Sequence, residues 1–186
     1  IGSRLCLLAR QDGHEVVATG RRTNAVEISR GEALETAGVH LIEGSLVDAQ
    51  FARRVTEGCH GIIHLAAAQH ESNVPDEYFR QVNVDGTLVV LKEAGKRMIE
   101  KDAGGDIVIM STKNVPSPSA GFGAYSATKA ACHQLGRIAS VEFSPHNIRV
   151  NMVAPDAVYD AAFRRAGSLR VRYWALASVL YRKCGS

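Results

Sequence analysis

A tyrosine and a lysine four residues apart, Tyr125 and Lys129, are the residues of this sequence best suited to chemistry. In an α-helix, positions i and i+4 lie on one face, so the ammonium of Lys129 is expected near the phenol of Tyr125. A free phenol has a pKa of about 10, and a neighbouring cation lowers that pKa. The spacing therefore predicts a phenol that exchanges a proton with an alcohol or carbonyl oxygen.

Two hydroxyl residues, Ser111 and Thr112, follow the apolar run 106–110, which is typical of a strand. A hydroxyl at the end of a strand can hold a substrate oxygen beside the phenol. Ser111 and Thr112 are adjacent, and the residues alone leave both open for this role.

The elements that must position these side chains follow from the hydrophobic pattern. Strands are predicted over 14–19, 39–43, 61–65, 107–110 and 147–154. Helices are predicted over 1–10, 27–37, 82–101 and 125–144, with a short one capped by Asp48. Alternating strands and helices predict an α/β, doubly wound parallel sheet (a Rossmann fold) in a single domain, 1–186.

The first 22 residues suggest a dinucleotide site. Ile1-Gly2 looks like the end of a G-x-x-G-x-I-G phosphate turn, which predicts a strand before Ile1 and elements missing at both ends of the chain. Gly20 stands where Asp or Glu would select NAD, and Arg21 and Arg22 suit a 2′-phosphate. This predicts NADP, with NAD possible, and the alternative is a solvated pair of surface charges.

The Tyr125/Lys129 pair resembles the Y-x-x-x-K motif of the short-chain dehydrogenase/reductase family, and the resemblance extends over nearly the whole chain. In that family the active-site hydroxyl usually lies thirteen residues before the tyrosine, at Thr112 here, with Ser111 one residue away. Asn83 resembles the family's helix asparagine, which in many members supports a water relay to the lysine. A role in bridging backbone groups of a kinked helix is the alternative.

The resemblance also implies the cofactor contacts. The turn 44–48 resembles the one beside the adenine, small residues follow the strand 61–65, and the turn 155–158 resembles the one against the nicotinamide. The implied cofactor-binding residues are Ile1, Gly2, Gly20, Arg21, Arg22, Leu46, Ala66, Ala67, Tyr125, Lys129, Pro155 and Val158.

Two branches of the family are mixed in this chain. Residues 61–87 look like the extended branch of sugar-nucleotide epimerases and dehydratases, and 125–158 like the compact dehydrogenases. The first hypothesis is an NADP(H)-dependent oxidoreductase acting on a small alcohol or carbonyl substrate. The alternatives are an epimerase or dehydratase that returns the hydride, and a cofactor-binding regulator without turnover. The segment 157–186 is predicted to form a substrate lid, or else a solvated amphipathic helix.

Composition bears on which partners, metal sites and locations are expected for the protein. A net charge of +3 does not suggest a nucleic-acid partner, and four scattered cysteines indicate neither a metal site nor a disulfide framework. No apolar run is long enough to cross a membrane, and a cytoplasmic location is expected. His64 and His133 are expected to be packed or surface residues. The resemblance implies a homodimer or homotetramer assembled through helices at 84–101 and 125–140.

Overall fold

Strands and helices alternate along the chain in the computed structural model, which describes residues 1–68 and 74–156 and the backbone of 178–182. The helices are α1 Gly2–Gln11, α2 Ala25–Thr36, α3 Ala49–Val55, α4 Asp76–Phe79, α5 Gly86–Glu100 and α6 Gly123–Phe143. The strands are β1 Glu15–Gly20, β2 His40–Glu43, β3 Gly61–His64, β4 Gly105–Met110, β5 Ile148–Val153 and β6 Ser178–Arg182. A π-helical turn, Arg80–Asp85, leads into α5.

The strands form one sheet in the order β2-β1-β6-β3-β4-β5. β1 pairs with β2, β3 with β4, and β4 with β5, all in parallel. β6 is antiparallel to both of its neighbours, β1 and β3. The predicted α/β fold with a doubly wound parallel sheet is therefore confirmed, with one antiparallel strand inside it.

The position of β6 differs from the prediction of a substrate lid over 157–186. Ser178 pairs with both Thr19 and His64, so the five residues of β6 lie within the sheet, between β1 and β3. β1 and β3 each present backbone groups that need a hydrogen-bond partner, and Val, Leu and Tyr are residues that favour strands. The lid prediction does not hold for Ser178–Arg182, and the rest of the segment lies outside the described residues.

Local signals end and begin the helices as predicted. Gly13 has φ +84° just after α1, a conformation that glycine adopts without steric cost. The Asp48 carboxylate accepts from the backbone N–H of Gln50 at 2.9 Å and so caps α3. Pro145 lies in the 3₁₀ turn that follows α6.

Helices cover both faces of the sheet. Successive residues of β1 point to opposite sides: Val16 and Ala18 belong to a cluster with Cys6 and Leu34, whereas Val17 belongs to the larger cluster on the other face. That larger cluster includes residues of α3, α5 and α6. This packing holds α6, which carries Tyr125 and Lys129, against the sheet.

Candidate functional site

Lys129 is buried, with 2% of its surface exposed, although its side chain is a cation. Its Nζ donates a hydrogen bond to the backbone carbonyl of Met110, the last residue of β4. Burial lowers the pKa of Lys129, and the nearby Cys132 opposes this shift. The ammonium therefore links α6 to the end of a central strand.

Tyr125 lies one helical turn before Lys129 and is partly buried. Burial raises the pKa of its phenol, and a side-chain hydrogen bond with Thr112 opposes the shift. The sequence predicted a lowered pKa for Tyr125, and this is wrong for the structure: the shift is upward, and desolvation of the phenol is its largest cause. The ammonium donates to the Met110 carbonyl.

The two candidate hydroxyl groups have different partners. The Thr112 side chain meets the Tyr125 phenol, and its Oγ1 also accepts from the backbone N–H of Asn114 at 3.3 Å. The Ser111 Oγ lies 3.0 Å from Nδ1 of His133, two turns along α6 from the tyrosine. The structure thus brings Thr112 to the phenol and pairs Ser111 with a histidine.

Asn83 is fully buried in the π-helical turn. Its Oδ1 accepts from the N–H of Ala68 at 2.8 Å, and its Nδ2 donates to the carbonyl of Ala68 at 3.1 Å. The same Nδ2 donates to Thr128 Oγ1 at 3.0 Å, next to Lys129 on α6. The side chain therefore bridges the segment after β3 and the helix α6, and the two roles expected from the sequence both stay predictions.

His64 is a packed core residue, as predicted. It is 2% exposed, and its Nε2 lies 3.2 Å from the hydroxyl of Thr87. Burial, together with the charge of Lys129, lowers the pKa of His64 to about 3. The imidazole is therefore neutral at physiological pH.

A cavity of about 150 Å³ opens at the carboxyl ends of β1 and β2 and beside the residues that follow β3. It is lined by five of the predicted cofactor-binding residues, namely Gly20, Arg21, Leu46, Ala66 and Ala67. Ser3 lines it too, whereas Ile1 and Gly2 adjoin Ser3 without being among the lining residues. This edge of a parallel sheet is where open α/β folds bind their ligands.

The other predicted contacts lie apart from this cavity. The Pro155 carbonyl accepts from the N–H of Lys113 at 3.1 Å, so the turn after β5 adjoins the loop that carries Thr112. Val158 lies outside the described residues. Tyr125 and Lys129 also lie at the end of β4, near the loop that carries Thr112.

Arg21 and Arg22, both predicted to bind the cofactor, have different surroundings. Arg21 lines the cavity, and its Nη2 lies 3.3 Å from the Tyr78 hydroxyl. Arg22 is not among the lining residues, and its guanidinium forms ion pairs with Glu35 on α2 and, at 3.2 Å, with Glu43 on β2. The prediction that Arg22 faces a bound phosphate is therefore not met by this structure, because two carboxylates hold the guanidinium elsewhere.

Sequence reasoning missed the face of α2 that lines the cavity. Glu27, Arg30, Gly31 and Leu34 all line it, and they are spaced as i, i+3, i+4 and i+7. That spacing is the signal for one helical face and would have identified Arg30 as a second cation at the site. Tyr78, from α4, was missed as well, and no local pattern indicates it.

Among the described residues, histidine, cysteine and carboxylate side chains form no group suited to hold a metal ion. In the same part of the chain, every helix is too short or too polar to span a bilayer.

The fold and this cavity together define a nucleotide-binding α/β domain. A model of the short chain dehydrogenase family matches residues 1–168, and the chain belongs to this family of oxidoreductases, whose cofactors are NAD or NADP. The expectation from the sequence motifs is thus confirmed.

Known proteins agree with this assignment. Dehydrogenase/reductase SDR family member 4 of Homo sapiens is 30% identical over 173 residues, which cover 85% of this chain and 62% of that protein. A short-chain dehydrogenase/reductase of Armillaria gallica is 27% identical over 174 residues, or 85% of this chain and 67% of that protein. Acetoin dehydrogenase from Enterobacter cloacae shares the fold, with a TM-score of 0.72 at 24% identity over 90% of this chain and 73% of that chain.

We predict that His64 makes stability depend on pH. Its pKa is about 3 in the folded protein against an ordinary 6.5, so between these values the unfolded chain binds a proton that the folded chain does not. The free energy of unfolding should fall as the pH is lowered through this window, by up to about 1.4 kcal/mol per pH unit from this group. Urea unfolding of the unmodified protein and of His64→Gln at several pH values measures the effect.

Glutamine does not titrate, so the stability difference between the two proteins should shrink as the pH falls from 6.5 toward 3. Comparing the two proteins removes the contribution of the carboxylates, which titrate in both. A difference that stays constant across this range would contradict the buried, neutral state of His64.

Proposed function

We propose that this protein is an NAD(P)-dependent oxidoreductase that interconverts an alcohol and a carbonyl compound. The observation that carries the proposal is the Thr112 hydroxyl at the Tyr125 phenol, with Lys129 one turn further along the helix. These groups lie at the same edge of the sheet as the cavity. The chain spans 62% of the length of the human relative, and that protein's name, a dehydrogenase/reductase, supports a redox reaction.

The residues of the cavity fit a dinucleotide. Gly20, Ala66 and Ala67 have small side chains or none, which lets a ligand approach the backbone closely, and Arg21 offers a cation. When bound, a nicotinamide dinucleotide supplies or accepts the hydride of the reaction. In the proposal Leu46 lies beside the adenine, and Lys129 binds the nicotinamide ribose, as the family resemblance implies.

Tyr125 is the proposed proton donor and acceptor. Burial raises its pKa, so the phenol is protonated at neutral pH and is in the form that can give a proton to a carbonyl oxygen. The Thr112 hydroxyl is placed to hold that oxygen beside the phenol. Asn83, through Thr128, supports the helical turn that carries Lys129.

Two other hypotheses stay distinct from this one. An epimerase or dehydratase uses the same groups but returns the hydride, so it causes no net change in the cofactor. A regulator binds the cofactor without turnover. Net oxidation of NADPH in the presence of a carbonyl substrate, followed by its absorbance, therefore separates the oxidoreductase from both other hypotheses.

We expect Tyr125→Phe to abolish most turnover while cofactor binding survives. The change removes the group placed to exchange a proton with the substrate oxygen, and positioned proton transfer typically contributes roughly a hundred- to ten-thousand-fold. Steady-state rates and a cofactor titration measure the two effects. Thr112→Ala should cost far more activity than Ser111→Ala, because Ser111 is paired with His133. A Tyr125→Phe protein with most of its activity would refute the proposed role.

We propose that cofactor choice depends on the two arginines that line the cavity, Arg21 and Arg30. The last residue of β1 is Gly20, where an acidic side chain would favour NAD, and Arg21 lines the cavity. We therefore propose a preference for NADP(H). Glu27 also lines the cavity and is close enough to Arg21 for their charges to interact, which reduces the net positive charge. The preference therefore rests on Arg21, with Arg30 adding positive charge.

We expect NADP(H) to bind at least about tenfold more tightly than NAD(H), because a hydrogen bond to a charged group contributes about 1.5–3 kcal/mol and solvent screening favours the lower end. Arg21→Ala should erase most of this margin. Arg22→Ala is the matched control, and it should leave the margin nearly intact because Glu35 and Glu43 hold that guanidinium. Titration of both cofactors into the three proteins is the measurement. Equal affinities in the unmodified protein would show that Arg21 is only a surface charge.

We also propose a homodimer or a dimer of such dimers. Leu88 on α5 and Ile138 and Val141 on α6 are exposed apolar residues, and Val141 is 74% exposed. Leu135, one helical turn before Ile138, packs against the core instead. Light scattering at micromolar concentration should give a dimeric or larger mass, and Val141→Glu should lower it because a buried unpaired carboxylate is costly. A monomer in the unmodified protein would contradict the proposal.

A further inference from the structure

Three buried side chains near Lys129, those of His64, Thr87 and Cys132, form a chain of hydrogen bonds with the backbone carbonyl of Asn83, and these three side chains have no part in the proposed reaction. His64 on β3 contacts Thr87 on α5 at 3.2 Å, and the Thr87 hydroxyl donates to the backbone carbonyl of Asn83 at 2.6 Å. The same hydroxyl lies 3.3 Å from Sγ of Cys132 on α6. His64, Thr87 and Asn83 are each 2% exposed or less, so water does not compete for these bonds.

The number of hydrogens fixes the direction of each bond. A threonine hydroxyl has one hydrogen, and a carbonyl oxygen can only accept, so the Thr87 hydrogen is committed to the Asn83 carbonyl. The Thr87 oxygen can then only accept from its two other neighbours. His64 must therefore carry its proton on Nε2, and Cys132 must contribute its S–H.

The chain of bonds reaches the active site by two routes. Thr87 contacts Cys132, which lies three residues after Lys129 on α6. Thr87 also holds the backbone of Asn83, whose side chain donates to Thr128, the residue before Lys129. The turn of α6 that carries the ammonium is thus contacted on both sides of Lys129.

Electrostatics gives the reason for a neutral group at position 64. The charge of Lys129 acts on His64 and disfavours its protonation, so the two groups are close enough to interact through the interior. By the same interaction a cation at position 64 would disfavour the charged form of Lys129. A neutral donor at this position makes the hydrogen bond without that repulsion.

We propose that His64 and Thr87 are positioning residues: through this buried chain of hydrogen bonds they hold Asn83 and the Lys129 turn of α6 in place. The consequence for turnover rests on the proposed function, whereas the arrangement of the bonds does not. Neither residue is expected to contact substrate or cofactor through its side chain.

A pair of substitutions at Thr87 separates positioning from packing. Thr87→Val keeps the shape of the side chain but loses the hydroxyl, and Thr87→Ser keeps the hydroxyl but loses a methyl group. We expect Thr87→Val to lower kcat/KM at least about tenfold and Thr87→Ser to stay within about threefold of the unmodified protein. A packing role predicts the opposite order, and that order would overturn the proposal.

The same contrast is available at His64. Glutamine presents an N–H at a reach similar to Nε2 and remains neutral, whereas leucine cannot donate. His64→Gln should therefore retain more activity than His64→Leu, and thermal unfolding of all four variants shows that the proteins compared are folded. Equal losses in the two His64 variants would count against the hydrogen bond.

Nitrogen NMR of histidine-labelled protein tests the arrangement without turnover. We expect the His64 ring to be neutral at pH 7, protonated on Nε2 and unprotonated on Nδ1. A ring protonated on Nδ1 alone, or on both nitrogens, would overturn the proposal. Absence of turnover in the unmodified protein would instead contradict the proposed function, and the NMR result would still decide the arrangement of the bonds.

Discussion

A buried ammonium group needs a hydrogen-bond acceptor, because transfer of an unpaired charge from water into a protein interior is very costly. Lys129 satisfies this need with the carbonyl of Met110, at the point where β4 ends. Together with the packing of α6 on the sheet, this bond ties the Lys129 turn to the end of β4. Tyr125, one turn earlier, and Thr112, two residues beyond Met110, are brought together as a consequence.

The second constraint is the edge where the parallel strands end. Hydrogen bonding between β4 and β5 continues beyond the strands, from Ser111 N–H to the Val153 carbonyl at 2.7 Å and from Lys113 N–H to the Pro155 carbonyl at 3.1 Å. Thr112 lies between these two donors and cannot shift along the chain without breaking one of them. A backbone held in this way fixes the position from which the Thr112 side chain reaches the phenol.

Local geometry explains which features could be predicted from the sequence. The shared face of Tyr125 and Lys129 follows from helix periodicity, and the cap at Asp48 follows from one residue and its neighbours. The family spacing favoured Thr112, and the structure brings that residue to the phenol. The alternation of strands and helices predicted the fold class.

The features that the sequence missed depend on contacts between distant segments. Arg22 leaves the cavity because Glu35 and Glu43 reach it from α2 and β2. β6 joins the sheet because the facing edges of β1 and β3 both need a hydrogen-bonding partner. No short sequence pattern predicts that these two edges face each other. The hydrogen bonds from His64 through Thr87 to Asn83 join three elements, and none of these residues belongs to a sequence pattern that predicts the contact.

Desolvation is the largest cause of the pKa shifts of Tyr125 and Lys129 in the candidate site. Burial raises the pKa of Tyr125 and lowers that of Lys129, so in both cases it disfavours the charged form. The two shifts have one physical cause and should therefore respond together to anything that changes the polarity of the site. A polar ligand beside these groups would move both pKa values back toward their ordinary values. Lys129 would then hold its proton more tightly, and Tyr125 would lose its proton more readily.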